Sequence, residues 1–189
     1  MERDILHCDM NNFFASVECR LNPELKKYPV AVCGSVEERH GIVLAKNELA
    51  KAQGVKTAET VAKCRGLVIV PPHFEEYLRY SRLARKIYER YTDLIEPFGM
   101  DECWLDISGT RRLFGAPEKV ADEIRRTVKE ELGLTISVGV SFNKVFAKLG
   151  SDMKKPDAVT VIPRETFREK IWNLPLSDMI GAGRATTAK

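Results

Sequence analysis

Four carboxylates in this sequence have the type and placement to do chemistry. Asp9 closes a short alternating run, Ile5-Leu6-His7-Cys8-Asp9. Asp101 and Glu102 stand where the chain enters a second alternating run over 103–107, and Asp106 lies further along it. If the first run pairs beside the second, Asp9, Asp101 and Glu102 converge at one edge of a sheet. Carboxylates delivered by separate strands suit Mg²⁺, which takes hard oxygen ligands and leaves room for phosphates. Two such ions about 4 Å apart stabilise the attacking and leaving oxygens of a phosphoryl transfer. Strict alternation, however, sends Asp101 and Glu102 to opposite faces. Both reach one cleft only if the chain bends before the strand, which Gly99 permits. Spacing alone leaves open that these acids are simply solvated at strand ends. A helix start follows Asp9, capped by Asn11 or Asn12, and its free N–H groups can take phosphate. Lys155 is placed to neutralise the same phosphates, or is an ordinary surface lysine.

The elements that must position these residues are read from periodicity. Strands are predicted over 5–9, 29–33, 42–45, 67–70, 94–98, 103–107, 135–140 and 158–162. The stretch 94–107, with Gly99-Met100 between its runs, reads as a hairpin. Helices are predicted from 13 to Asn22-Pro23, from about 46 to Gly54, over 74–91, from Pro117 to about 131, from Ser141 to Met153, and over 164–173. In the helix over 74–91, Tyr77, Tyr80, Ala84, Ile87 and Tyr91 form an apolar stripe and the arginines a solvated side. In the strand over 135–140, Thr135, Ser137 and Gly139 make a small polar face opposite Ile136, Val138 and Val140. Strands of this kind suggest an antiparallel sheet with helices on one side and an open face where a long substrate could lie. The punctuated stretch between Pro23 and Pro72 reads as a small subdomain of its own.

Composition sets the outer bounds. The chain has 189 residues, 44% of them hydrophobic and 30% charged, which excludes disorder over most of its length. A net charge of +3 permits a nucleic-acid partner without demanding one. No signal peptide or run of about 18 apolar residues occurs, so a cytoplasmic protein without a membrane partner is expected. The cysteines, Cys8, Cys19, Cys33, Cys64 and Cys103, are odd in number and lack a C-x-x-C pair, so reduced thiols are expected. The scattered histidines, His7, His40 and His73, argue against a zinc site.

Taken together, the segments DMNNFFASVE at 9–18, MDECWLDI at 100–107, SVGVSFNKVFAK at 137–148 and DMKKP at 152–156 resemble the Y-family translesion DNA polymerases of the polymerase IV type. GRATT at 183–187 resembles the opening of that family's helix-hairpin-helix thumb. The similarity covers essentially the whole chain in the right order. It implies an α+β fold: a palm over 1–18 and 74–165, with an antiparallel ferredoxin-like sheet covered by helices on one face. It further implies a small α/β fingers subdomain over 19–73 and the start of a helical thumb over 166–189, with the little-finger domain absent. By position, Asp9 and Asp101 are expected to ligate two Mg²⁺ ions (Mn²⁺ as an alternative), Met10 to offer its carbonyl, and Glu102 to assist the ion at the primer 3′ hydroxyl. Phe13 lends a backbone N–H to phosphate, Phe14 is the sugar gate, and Lys155 binds the triphosphate. Phe14 also reads as a core aromatic, on one face with Val17 and Leu21. The family usually has Tyr where Glu48 stands and often Arg where Lys51 stands. Lys51 keeps the charge but not the planar fork, and Glu48 would repel phosphate if it pointed inward. Asn11 replaces a frequent Asp.

The resemblance implies template-directed addition of deoxynucleotides from their triphosphates to a primer–template, at low fidelity on damaged templates. A sliding clamp is an expected partner through the missing C-terminal region. Two rivals are a nucleotidyl cyclase and a non-catalytic nucleic-acid or partner-binding module that keeps the palm fold. The first lacks its Gly-Gly-acid-Glu-Phe turn, since the chain has Gly99-Met100-Asp101-Glu102-Cys103. The second is disfavoured because the acids are present.

Overall fold

The computed structural model describes residues 3–34, 41–60 and 66–188; His40 and Cys64 lie outside them. In chain order the elements are β1 (Ile5–Met10), α1 (Phe13–Leu21), β2 (Val30–Cys33), β3 (Val43–Lys46), α2 (Glu48–Ala52), β4 (Val68–Val70) and α3 (Phe74–Tyr88). They continue with β5 (Ile95–Phe98), β6 (Glu102–Asp106), α4 (Arg111–Phe114), α5 (Pro117–Leu132), β7 (Ile136–Ser141), α6 (Lys144–Met153), β8 (Val159–Ile162), α7 (Phe167–Ile171) and α8 (Arg184–Thr187). The chain divides into two compact units. One holds the described residues of 1–11 and 83–189, the other those of 12–82.

The first unit is built on a five-stranded sheet in the order β5-β6-β1-β7-β8. Its first four strands pair antiparallel, and β8 adds parallel to β7. Without β8 this is the ferredoxin-like order, with α3 before the β5–β6 hairpin and α5 after it. Pro117 opens α5 at its first turn, and Gly133 closes it at φ +67°, the left-handed end that glycine adopts without strain. Between them Val120, Ala121, Ile124, Val128 and Leu132 form one buried stripe, which packs on β7 and β8. The wholly buried Tyr88, at the end of α3, lies near the Cys8 and Cys103 thiols of the same sheet face; burial first, then these neighbours, push its hydroxyl well up. The four described cysteines, Cys8, Cys19, Cys33 and Cys103, are all buried.

The opposite face is not left bare, as the sequence pattern suggested. Helix α6, the crossover between β7 and β8, lies across it. At Gly139 an added Cβ would sit 1.8 Å from the Ala147 carbonyl oxygen, so the small side of β7 exists to admit a helix backbone. Ile5, Trp104 and Ala147 pack together on this side. Covered on both faces, all six residues of β1 and of β7 are buried.

Several boundaries differ from the sequence reading for local reasons. Asn143, not Ser141, caps α6: its Oδ1 accepts from the Phe146 N–H at 2.8 Å. Ser141 stays in β7 and donates to the Ile162 carbonyl at 2.8 Å. Helix α3 stops at Tyr88, and Tyr91 follows in a turn with its N–H on the Tyr88 carbonyl. Helix α7 covers only five residues, because the Thr166 N–H first closes a turn on the Pro163 carbonyl.

The second unit has a three-stranded sheet, β3-β2-β4, antiparallel between β2 and β3 and parallel between β2 and β4. Ala31, Cys33 and Val43 form its small core, with Val55, Leu67 and Ile69 packed around it. Asn47 holds the unit together from one side chain. Its Oδ1 accepts from the N–H groups of Ala50, capping α2, and of Val30, each at 3.0 Å; its amide donates to the Tyr28 carbonyl at 2.7 Å. Among the described residues no helix is long and apolar enough to cross a membrane.

Candidate active site

The acids meet because of one turn. In the β5–β6 hairpin Phe98 pairs with Glu102, leaving Gly99, Met100 and Asp101 as the loop. Gly99 takes φ +75°, which an L side chain adopts only under strain. Asp101 therefore precedes the strand, and alternation does not govern where it points. Its backbone is still fixed, since its carbonyl accepts from the Met10 N–H at 3.0 Å. Glu102 lies directly opposite Asp9 in the β1–β6 register. The fourth acid, Asp106, is elsewhere: it pairs opposite Ile5, and its Oδ1 accepts from the Ser108 N–H and hydroxyl.

Two lysines hold the acids together. Asp9 is buried, and its Oδ2 accepts from Lys155 Nζ at 2.7 Å and Lys148 Nζ at 3.0 Å. Lys148 also stands 2.8 Å from Glu102 Oε2 and 3.1 Å from Asp152 Oδ2, and Lys155 is 2.9 Å from Asp152 Oδ1. Lys148 comes from α6, four residues before Asp152, so both lie on one helix face. Burial works to lower both lysines, but the carboxylates outweigh it and raise them. Burial likewise works to raise Glu102, yet His7 and Lys148 hold it below the usual carboxylate range. Burial, then the charges of Asp9 and Glu102, push the Asp101 carboxyl up to about 6. The charge of Lys148 also acts downward there but is outweighed.

His7 was not singled out as a site residue, yet it shares the face of Asp9. The Ser151 hydroxyl donates to the Lys148 carbonyl at 2.7 Å, so toward His7 Nδ1, 2.9 Å away, it can only accept. Nδ1 thus carries a proton. Nε2 lies 3.1 Å from Glu102 Oε2, and neither buried atom has an aligned hydrogen bond. His7, Asp9 and Glu102 offer ligand atoms all within 4.8 Å of one another. Two carboxylates with a third alongside form a hard-oxygen donor set that fits Mg²⁺ or Mn²⁺.

The remaining candidates divide between the units. Met10 ends β1, and Asn11 ties that end down: its amide donates to Ser137 Oγ at 3.0 Å and its Oδ1 accepts from the Asp157 N–H at 2.9 Å. In the second unit Phe13 is buried, and Phe14 is half-buried with its ring stacked on Tyr77. Neither asparagine caps α1 through its side chain. Asn12 sits there in the left-handed region at φ 49°, and its amide donates to Glu48 Oε1 at 2.7 Å. Exposed Lys51 places Nζ 3.8 Å from the same oxygen. The sequence reading missed His7, Lys148 and Asp152. Their signal was the spacing: His7 two residues before Asp9, and Lys148 and Asp152 one turn apart on a capped helix.

An extended ferredoxin-like sheet with acids from its central strand and an adjacent hairpin points to the Y family. Residues 8–152 match the impB/mucB/samB family, and the chain belongs to it. The chain is 61% identical over its whole length to the DNA polymerase IV of Acetivibrio thermocellus, covering 48% of that protein. It superposes with a TM-score of 0.90 on an insertion ternary complex of Dbh DNA polymerase, at 28% identity, over 96% of this chain and 55% of that one. A Y-family DNA polymerase chimera gives 0.88 at 28% identity, over 95% and 54%. The chain spans about half the length of the curated relatives it matches.

Proposed function

We propose that this chain is the catalytic half of a template-directed DNA polymerase of the translesion type, working in the cytoplasm. It adds deoxynucleotides to a primer 3′ end by two-metal-ion nucleotidyl transfer, with low fidelity on damaged templates. The supporting observation is the convergence of Asp9, Asp101 and Glu102 around Lys148 and Lys155. In this reading the palm covers 1–18 and 74–165, the fingers 19–73, and the thumb begins at 166.

Asp9, Asp101, Glu102 and the Met10 carbonyl would hold the ions. When bound, Mg²⁺ supplies charge that activates the primer hydroxyl and stabilises the leaving pyrophosphate. Lys155 and Lys148 neutralise charge on the triphosphate, and Phe13 offers a backbone N–H. Lys51 adds a positive charge, partly offset by Glu48. Phe14 blocks a 2′ hydroxyl and so selects the sugar. Catalysis of this kind is mostly positioning and preorganised charge. Primer–template DNA and deoxynucleoside triphosphates are the partners, with a sliding clamp engaged through further sequence.

Single-nucleotide incorporation into a primer–template at low salt, with Mg²⁺ and then Mn²⁺, tests the reading. Extension directed by the template, and lost in Asp101→Ala with the fold intact, is the expected result. Normal turnover in Asp101→Ala removes that residue from the site. Metal-independent DNA binding without extension by the full-length protein favours the non-catalytic module instead.

A further inference from the structure

The ring of Phe14 does not stand alone. It lies face to face with Tyr77, the centroids 4.2 Å apart and the planes at 9°. Phe74 meets both rings edge-on, at 5.9 and 5.7 Å. Such a stack favours one placement of each ring relative to the other. What fixes Tyr77 is a charge beneath it. Glu18, one turn after Phe14 on α1, keeps its carboxylate buried, with 5% of the side chain exposed. Its Oε1 accepts from the Tyr77 hydroxyl, and His73 Nδ1 lies 3.0 Å from both carboxylate oxygens.

A buried carboxylate is costly and persists only where it is fully partnered. Position 18 lies in a buried stretch of α1 beside Val17 and Cys19, where an apolar side chain would meet the helix pattern at less cost. Tyr77 itself is wholly buried, with its backbone N–H on the His73 carbonyl. Burial, then Glu18, push its hydroxyl pKa up, so it remains a donor at working pH. A swing of the side chain about its Cα–Cβ bond carries the hydroxyl away and breaks the bond to Glu18.

We propose that Glu18 is a positioning residue for sugar selection: by anchoring the Tyr77 hydroxyl it fixes the position of the ring on which Phe14 stacks. The proposal rests on the reading of Phe14 as the sugar gate.

The test is the ratio of kcat/KM for deoxy- over ribonucleotide in the full-length protein. Phe14→Ala is expected to collapse it. Glu18→Leu and the near-isosteric Tyr77→Phe are each expected to lower it roughly tenfold, the scale of one buried hydrogen bond to a charge. The double variant should be no worse than either single one. Glu18→Gln, whose amide oxygen still accepts, should stay within about twofold of wild type. A collapsed ratio in Phe14→Ala with wild-type ratios in Glu18→Leu and Tyr77→Phe overturns the inference and leaves the gate. An unchanged ratio in Phe14→Ala overturns the gate and the inference together. A 4-fluorophenylalanine label at position 14 reads the stack without turnover. Its ¹⁹F resonance should move in Tyr77→Phe and Glu18→Leu but not in Glu18→Gln, and an unmoved resonance in the first two overturns the inference.

Discussion

Gly139→Ala is expected to be among the most damaging single-methyl changes in this chain. The added Cβ would sit 1.8 Å from the Ala147 carbonyl oxygen, 2.5 Å from the Ser151 nitrogen and 2.9 Å from the Ala147 carbonyl carbon. All three are backbone atoms of α6, so no side-chain rotation relieves the clash. The helix must lift by roughly 1.5 Å to restore ordinary contact. Lifting it uncovers Ala147, Leu149 and Gly150, and strains the 2.9 Å contact between His7 and Ser151. Overpacking costs about 1–3 kcal/mol where side chains can give, and more is expected against rigid backbone, about 4 kcal/mol. For a chain of this size that lowers the Tm by about 10 °C. Gly109→Ala is the control: its φ is ordinary and nothing lies within 4 Å of the new Cβ, so it should fall within about 0.5 kcal/mol of wild type. Gly150→Ala is graded between them, with its Cβ 3.2 Å from Gly139 Cα and 3.3 Å from the Thr160 carbonyl oxygen. Urea and thermal unfolding of the three variants decide the matter. A Gly139→Ala protein as stable as Gly109→Ala refutes the close approach of α6 to β7.

Three further predictions concern the charges. The Asp101 carboxyl is raised to about 6, against about 3.9 in an unfolded chain. Between those values the native state binds more protons than the unfolded one. Stability of the metal-free protein should therefore fall as pH rises from about 4 to 6, by on the order of 2 kcal/mol. Urea titrations in chelator at both ends of that window check it, and Asp101→Asn should flatten the slope. Affinity for Mn²⁺, read by calorimetry, should weaken by up to about tenfold per pH unit below 6, because the proton competes with the ion. Lys148→Met should lower metal-free stability by about 2 kcal/mol or more, since it leaves Asp9 and Glu102 short of a buried partner. Added Mn²⁺ should then stabilise this variant more than wild type; equal stabilisation would mean that Lys148 and the ion do not share those carboxylates.

Much of the fold was legible because its elements carry their own punctuation. Pro117 and Gly133 bracket α5, and the apolar stripe between them has one period. The alternation of β1 and β7, and the hairpin at Gly99, fix the central strands. The role of the small side of β7 was not legible. Ser137 and Gly139 look the same in sequence whether they face solvent or a helix backbone at van der Waals distance. Only the crossover from β7 to β8 through α6 decides between the two, and that is a tertiary fact. Glu18 was hidden for the opposite reason: a carboxylate in an amphipathic helix reads as solvated until Tyr77 and His73, more than fifty residues later, are seen to cover it.

The site was legible by residue type and illegible in its charge balance. Asp9, Asp101 and Glu102 stood out as acids at strand ends, but lysines at 148 and 155 look like any others on a helix and its following loop. Once β1 and β6 pair, the balance can be counted. Asp9, Asp101, Glu102 and Asp152 face Lys148 and Lys155, so four negative charges meet two positive ones and two remain uncompensated. That remainder falls on Asp101, the one acid of the four that neither lysine meets in an ion pair, and it adds to burial in raising its carboxyl. One divalent cation cancels the remainder. A second would leave the cluster positive by two unless it arrived with an anion of its own, as a nucleoside triphosphate would. Asn11 ties β1 to Ser137 and Asp157 without adding a fifth negative charge beside the other four.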